Sequence, residues 1–175
     1  DRETIRQIWP NIQGALGWGE RNGDRDSDGF VAYHRRTPTG LVNQGWKDSH
    51  DAVFHSDGRT AGGPIALVEV QAYVHQAYEQ GAKLAELLGN HDAAERYRSR
   101  ANALKSVFHN RFWSGESGTY VLALDGEKHP CCITASNAGH VLLSDLAPDY
   151  AAQRVGRTLM GTDMWSGWGV RTLAT

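Results

Sequence analysis

Side chains that act on carbohydrates are concentrated between residues 40 and 51, in the sequence GLVNQGWKDSHD. A carboxylic acid such as Asp48 or Asp51 can protonate a glycosidic oxygen, and the indole of Trp46 can stack on a sugar ring. Lys47 can donate hydrogen bonds to sugar hydroxyl groups. A polar surface loop has the same residue types, so this stretch, which we call the tryptophan loop (residues 40–51), admits both interpretations.

The tryptophan loop lies in an irregular stretch between two helical patterns. Apolar residues at spacings of three and four predict a first helix within residues 4–18, with Pro10 as a kink or a late start. Residues 19–63 are rich in Gly, Asp, Ser and Arg and predict a long functional loop, with a short strand at residues 30–33. The aromatic and apolar residues scattered through it argue against disorder.

A helical hairpin is predicted directly after the loop. Pro64 is expected to open a helix that continues to about residue 88 and is closed by Gly89. Asp92 and Glu95 have the spacing of a capping box, which predicts a second helix through Phe108. Because the connection is only a few residues long, the two helices should be antiparallel neighbours.

The remaining pattern completes a mainly α fold. Residues 118–126 predict a strand that ends in a turn, and two shorter helices are predicted near residues 134–144 and 149–160. Helix pairs that alternate with long loops, together with a short β element, indicate an α/α toroid or a solenoid. We expect residues 1–175 to be part of a single domain that is truncated at both ends.

Glu69 and Gln71 stand among apolar residues in the first turns of the predicted Pro64 helix. The helix dipole favours a carboxylate at this end, so a purely structural role for Glu69 remains open. In a toroid, however, a helix that follows the tryptophan loop would place its first turn at the rim of the same pocket.

The composition excludes several classes of partner. A net charge of -2 argues against nucleic acid or an anionic membrane, and no apolar run of about 18 residues is present to span a bilayer. The two cysteines, Cys131 and Cys132, are adjacent and cannot easily form a disulfide with each other. As free thiols they favour a reducing, cytoplasmic compartment. Several of the six tryptophans neighbour glycine, which is typical of a binding surface, although burial is the default for this residue.

Two groups of residues match metal sites only in part. The aspartates of residues 24–28 form the first half of a calcium loop, but Arg35 stands where the bidentate glutamate belongs. A hydrogen-bonded Asx turn explains that pattern better. His50 and His55 lie five apart in a loop, without an HExxH or CxxC motif beside them. We therefore expect no metal and no cofactor.

Three segments, taken together, resemble the bacterial amylo-α-1,6-glucosidase family, which is related to the glucosidase half of glycogen debranching enzymes. They are GLVNQGWKDS at residues 40–49, PIALVEVQAY at residues 64–73 and WSGWGVRTL at residues 165–173. The first and third are quite specific, whereas the second is shared with other sugar-processing (α/α)6 toroids. The resemblance implies part of an (α/α)6 barrel and hydrolysis, with inversion, of α-glucosidic branches in an oligosaccharide or α-glucan.

The resemblance also implies roles for single residues. Asp48 follows Trp-x and would be the general acid, and Trp46 would stack on or wall the glucosyl unit. Lys47 and Asp51 would bind hydroxyl groups or tune the acid. The other residues that would line the pocket or its rim are Glu69, Gln71, Trp168 and Arg171.

One part of such an enzyme is missing from these assignments. An inverting glycosidase needs a second carboxylate, about 6.5–9.5 Å from the acid, as general base. In the family, that glutamate lies beyond the segment related to residues 165–173. Twelve helices with their connections would also need roughly 200 residues or more. We therefore expect a piece of a longer protein that is inactive alone and that self-associates through exposed helix faces.

Two other functions fit parts of the sequence. A sugar epimerase or isomerase on the same toroid would use histidines as proton shuttles, with His34, His50 and His55 as candidates. A non-catalytic helical-repeat interaction module would account for the hairpin of residues 64–108. Such repeats recur at a period of about 34–47 residues, and no second copy of the hairpin is visible.

Overall fold

The computed structural model describes residues 1–175 and begins with helix α1 (Arg2–Asn22). Asp1 caps this helix, since its Oδ1 accepts a hydrogen bond from the Glu3 N–H at 3.1 Å. The predicted first helix is confirmed. It continues through Pro10 and extends beyond the predicted residues 4–18 at both ends. Buried Trp9 packs the helix against the hairpin that follows.

Helices α2 (Val68–Leu87) and α3 (His91–Phe112) form the predicted hairpin. Gly89 closes α2 with a φ of 77°, the left-handed conformation that glycine adopts without steric cost. Tyr78 and Tyr97 stack across the hairpin with ring centroids 6.2 Å apart. This pairing supports the antiparallel arrangement expected from the short connection.

Both helices of the hairpin begin at residues other than those predicted. Helix α2 begins at Val68 rather than at Pro64, because residues 65–67 are extended and pair with neighbouring strands. Helix α3 is capped by Asn90 rather than by Asp92, since Asn90 Oδ1 accepts a backbone hydrogen bond at 3.1 Å.

Five short strands form two antiparallel sheets. In chain order they are β1 (Ala66–Leu67), β2 (Trp113–Ser114), β3 (Thr119–Tyr120), β4 (Ala123–Leu124) and β5 (Pro130–Cys131). The order of the first sheet is β1-β4-β5, and β2 pairs with β3.

The two predicted strands are shorter than expected. The strand predicted at residues 118–126 is split, because Val121 donates its N–H to the Phe112 carbonyl whereas Leu122 donates to the Cys131 carbonyl. The strand predicted at residues 30–33 is reduced to a single bridge between Tyr33 and Ile65.

The last part of the chain is helical. The helix predicted near residues 134–144 is a 3-10 helix (Ser136–Leu143), and the one near 149–160 is α4 (Asp149–Leu159). The fold is therefore mainly helical with small antiparallel sheets, as predicted. None of its helices has the length and apolar character that crossing a membrane requires.

The segment that leads into α2 is buried on both sides. Ala66 and Val68 belong to an apolar cluster with aromatic side chains of α3. Ile65 and Leu67 belong to a second apolar cluster. Since alternate side chains of an extended segment point in opposite directions, this packing fixes the first turn of α2 from two sides.

Candidate active site

Glu69 lies in the first turn of α2 and is fully buried. Neither of its carboxylate oxygens has a hydrogen-bond partner. Burial of an unpaired carboxylate is costly, and a position at a helix N-terminus offsets only part of that cost. Glu69 therefore offers two free acceptor atoms to a donor that reaches this end of the helix.

Gly45 of the tryptophan loop packs directly against the same end of α2. A Cβ atom at this position would overlap Leu67 Cδ1 and would lie 3.1 Å from Glu69 Oε1. Only glycine lets the loop backbone approach so closely. Gly45 and, two residues later, Lys47 are thus held near Glu69.

The Lys47 ammonium connects the tryptophan loop to the C-terminal segment. It donates a hydrogen bond to the Thr172 carbonyl at 2.8 Å. Burial lowers the pKa of Lys47, and the nearby Glu69 carboxylate opposes that shift. Lys47 is therefore a partly desolvated cation near Glu69, and it ties two segments of the predicted site together.

Asn43 and Tyr33 hold the tryptophan loop in place through side-chain hydrogen bonds. Asn43 Nδ2 donates to the Ser49 carbonyl at 2.6 Å, and the Tyr33 hydroxyl donates to Asn43 Oδ1 at 2.9 Å. Burial raises the pKa of Tyr33 to about 12, a shift to which the Glu69 charge contributes. Neither residue was predicted from the sequence to support the loop. The one signal for such a role was the amide side chain of Asn43 within the loop.

The exposed side of the loop presents Trp46, Asp48 and Asp51. Trp46 is 69% exposed, which is unusual for an indole unless it serves a surface. A sugar ring could pack on that indole while a carboxyl group of the same loop meets the glycosidic oxygen.

Two residues that were not predicted from the sequence extend the site beside Trp46: His140 contacts the indole, and Tyr73 contacts His140. The imidazole of His140, from the 3-10 helix, has its centroid 5.9 Å from that of Trp46. The Tyr73 hydroxyl lies 2.7 Å from His140 Nδ1. Tyr73 follows Glu69 by four residues, and this helical spacing was a usable signal. His140 comes from a distant segment, and nothing in the sequence placed it here.

Gln71 lies on a different face of α2, two residues after Glu69. Its amide accepts a hydrogen bond from the Val31 N–H at 2.9 Å and donates to the carbonyl oxygens of Val31 and Leu67 at 2.8 and 2.9 Å. The side chain is fully buried. It thus clamps the segment after α1 onto α2, and its polar atoms are used within the protein rather than presented to a pocket.

The C-terminal turn carries the last two predicted site residues. Trp168 is 97% exposed at the tip of this turn, beside Gly167 with a φ of 91°. Arg171 donates from Nη1 to the Thr162 carbonyl at 3.3 Å, which holds the turn together. The hydrogen bond from Lys47 brings the segment of Arg171 to the tryptophan loop.

Two of the three aspartates that match half of a calcium loop form ion pairs with a lysine. Lys128 Nζ lies 2.5 Å from Asp26 Oδ2 and 2.5 Å from Asp28 Oδ2. Asp24 accepts hydrogen bonds from the backbone N–H groups of Asp28 and Gly29, in keeping with the predicted Asx turn. The Lys128 ammonium group therefore lies between two carboxylates that a calcium loop would offer to its bound cation.

Of the three histidines considered as proton shuttles, His55 pairs with Asp125 and His34 lines a cleft at the end of α1. His55 Nε2 lies 3.2 Å from Asp125 Oδ2 and 4.0 Å from Cys131 Sγ. Burial raises the pKa of the Cys131 thiol to about 12, so it is not an activated nucleophile. His34 lies beside Gly63, at a separate cleft. This arrangement gives no support to an epimerase mechanism based on these histidines.

The antiparallel helix pair, the further helices and the small sheets define a mainly helical domain. The sequence matches the family model of the bacterial alpha-L-rhamnosidase six-hairpin glycosidase domain over residues 1–167. The chain belongs to this family, as part of its six-hairpin fold.

The fold also occurs in a solved structure described as "Sialidase". The two chains share 16% sequence identity and superpose with a TM-score of 0.72. The match covers 99% of this chain and 15% of that chain, so the chain spans a small part of the length of that structure. A search of curated proteins gives no match.

These comparisons confirm the predicted class and correct the predicted family. The chain is part of a six-hairpin glycosidase domain, but of the α-L-rhamnosidase type rather than the amylo-α-1,6-glucosidase type. Glycogen debranching is not supported. The segment at residues 64–73 is common to several sugar-processing toroids, so it could indicate the fold without selecting the family.

Proposed function

We propose that residues 1–175 supply the acid side of the active site of a six-hairpin glycoside hydrolase, with Asp48 as the general acid. The observation that carries this proposal is the contact of Gly45 with the end of α2. It anchors the loop at Gly45, and Trp46 and Asp48 follow on the exposed side of the same loop. Such a grouping of acid, platform and hydroxyl acceptor suits a sugar at its glycosidic bond.

In this mechanism Asp48 protonates the glycosidic oxygen as the bond to the anomeric carbon breaks. Trp46 and His140 wall the sugar ring, and Glu69 accepts a hydrogen bond from one of its hydroxyl groups. Lys47 balances the charge of Glu69 while it holds the C-terminal segment. In an inverting reaction a second carboxylate, about 6.5–9.5 Å from the acid, activates water; none of the residues assigned here has that role.

The rim of the site is assigned to three residues. Asp51, Trp168 and Arg171 would contact the part of the substrate beyond the cleaved bond, because they are polar or aromatic groups at the exposed ends of the two connected loops. Gln71 is assigned to positioning of α2, and no cofactor takes part.

The family name makes an α-L-rhamnoside the first substrate class to test. An α-1,6-linked glucoside of an oligosaccharide or α-glucan is the second, because the segments at residues 40–49 and 165–173 favour it. Both substrates are neutral sugars whose leaving oxygen needs a proton, so the same acid serves either.

The test is Asp48→Asn in the gene product that carries residues 1–175. With 4-nitrophenyl α-L-rhamnopyranoside, or with isomaltose for the second class, we expect kcat/KM to fall by about 10²–10⁴-fold, the usual contribution of a general acid. A 2,4-dinitrophenyl glycoside should be affected far less, because its leaving group departs without a proton. The matched control is Asp57→Asn, an exposed loop aspartate paired with Arg59, which should leave both rates unchanged.

An equal loss of kcat/KM for the substrates with both leaving groups would mean that Asp48 supports the structure of the site and does not act as an acid. Hydrolysis of the rhamnoside but not of isomaltose would settle the substrate class. Turnover of neither by the unmodified protein would contradict the proposed activity.

A further inference from the structure

A cleft of about 530 Å³ lies between the end of α1 and the extended segment around His34. A second cleft of about 260 Å³ adjoins it and shares Arg25, Ala32 and His34 with it. The second cleft reaches Gly40 and Gln44, the beginning of the tryptophan loop. The two clefts therefore form one groove that leads toward the candidate active site.

This groove carries a concentration of positive charge in a chain whose net charge is -2. Its walls include three arginines, Arg25, Arg35 and Arg36. The arginines of this chain that form ion pairs are different ones, namely Arg6, Arg59, Arg98 and Arg100. The guanidinium groups of the groove thus have no carboxylate partner in the protein.

Asp26 is the one carboxylate in the walls of the groove, and it does not neutralise the arginines. Its Oδ2 atom lies 2.5 Å from Lys128 Nζ. The Lys128 hydrogen bond is the main reason that the pKa of Asp26 is lowered. The net charge that the groove presents to a ligand is therefore positive.

The second cleft also has groups that suit a sugar ring. Trp18 is 57% exposed at its wall, and the amide side chains of Asn22 and Gln44 lie beside it. Indoles stack on sugar rings, and amides bind hydroxyl groups. Guanidinium groups bind carboxylate, sulfate and phosphate groups through paired N–H donors.

We propose that this groove binds an anionic sugar residue of the substrate, whose acidic group is held by Arg25 and Arg35 while its ring lies near Trp18. The placement of that residue next to the cleaved bond rests on the proposed function of the tryptophan loop. The acidic group is a uronate carboxylate or a sulfate or phosphate ester, which share the same chemistry of recognition.

The experiment measures binding rather than turnover, by titration calorimetry of the gene product that carries residues 1–175. The probes are trigalacturonate, its fully methyl-esterified form as the neutral match, galactose 6-sulfate and glucose 6-phosphate. We expect at least one anionic probe to bind at least tenfold more tightly than the neutral ester. In the double variant Arg25→Gln/Arg35→Gln that preference should be lost, whereas Arg2→Gln, an exposed arginine at the other end of α1, should retain it.

The relative affinity of trigalacturonate and the two esters identifies which acidic group the groove accepts. Equal affinity for trigalacturonate and its methyl ester, with no binding of either sugar ester, overturns the proposal. So does a preference for anions that persists in the double variant. Hydrolysis tests the proposed acid and these binding measurements test the groove, so failure of the proposed acid and failure of the groove give different results.

Discussion

Two protonated groups, the buried Cys131 thiol and the partly buried Tyr33 phenol, pack in the same apolar cluster. Burial raises the pKa of each to about 12, from 9.0 for the thiol and 10.0 for the phenol. The folded protein therefore holds these protons more tightly than the unfolded chain does. Their contribution to stability is complete below about pH 9 and is lost as the pH rises toward 12.

We expect the free energy of unfolding in urea to fall between pH 8.5 and 10.5, by up to about 1.4 kcal/mol per pH unit for each group. Cys131→Ala should reduce that slope, although the cavity lowers stability at every pH. Cys132→Ala is the matched control, because Cys132 is exposed and should leave the slope unchanged. Identical slopes in the two variants would show that the buried thiol does not contribute.

For single residues, the sequence indicated which side chains have distinctive chemistry but not which residues surround them in the fold. Trp46, Asp48 and Glu69 could be selected because their residue types suit carbohydrate cleavage. His140 could not, because its contact with Trp46 depends on how a distant 3-10 helix packs against α2. Gln71 was assigned to a pocket from its position along the helix, whereas its hydrogen bonds to Val31 depend on tertiary structure.

Among the elements, the start of α2 positions the site, because the backbone of the tryptophan loop at Gly45 rests directly on the side chains of Leu67 and Glu69. Gly45→Ala should lower the free energy of unfolding by about 1–3 kcal/mol, the usual cost of overpacking. It should also displace Trp46 and change its fluorescence. Gly14→Ala is the control: nothing lies near its added methyl group, and it should stabilise α1 by about 0.5–1 kcal/mol. Equal stability of the two variants would contradict the close contact.

A second prediction concerns the clamp between α2 and the segment after α1. Gln71→Ala leaves the N–H and carbonyl groups of Val31 without partners, at a cost of about 2–4 kcal/mol in the free energy of unfolding. Gln80→Ala on the same helix should cost little, since this glutamine is exposed. Urea unfolding of both variants measures the difference. A small effect at Gln71 would mean that water replaces its hydrogen bonds.

Helices were easier to predict than strands for a physical reason. The hairpin of α2 and α3 is encoded by local signals, namely apolar spacing and Gly89. The strands are only two residues long, and the pairing of Ala66 with Leu124 joins distant parts of the chain. The start of α2 was predicted too early for the same reason, because Ala66 and Leu67 pair with β4 instead of joining the helix.

At the scale of the whole molecule, the surface carries apolar side chains in addition to those of the site. Leu142 and Leu143 are exposed at the end of the 3-10 helix, and Leu143 is 66% exposed. Such a surface favours association in water. The match to 15% of a longer chain shows that domains of this fold occur within larger proteins.

We therefore expect residues 1–175 to self-associate, with a sedimentation coefficient that increases with protein concentration. Leu143→Asp should shift the population toward the monomer, because a charge opposes burial of this surface. Leu87→Asp, at the far end of α2, is the matched control and should have little effect. A concentration-independent monomer in the unmodified chain would contradict the prediction.

Lys128 has a consequence for the environments that this domain tolerates. Loops built on aspartates commonly take their cation from solution, so their shape follows the supply of that ion. Here the cation is the Lys128 side chain, which joins the segment after α1 to the turn between β4 and β5. The wall of the groove at Asp26 is therefore held by a charge from within the chain, and we expect its form to change little when calcium is chelated.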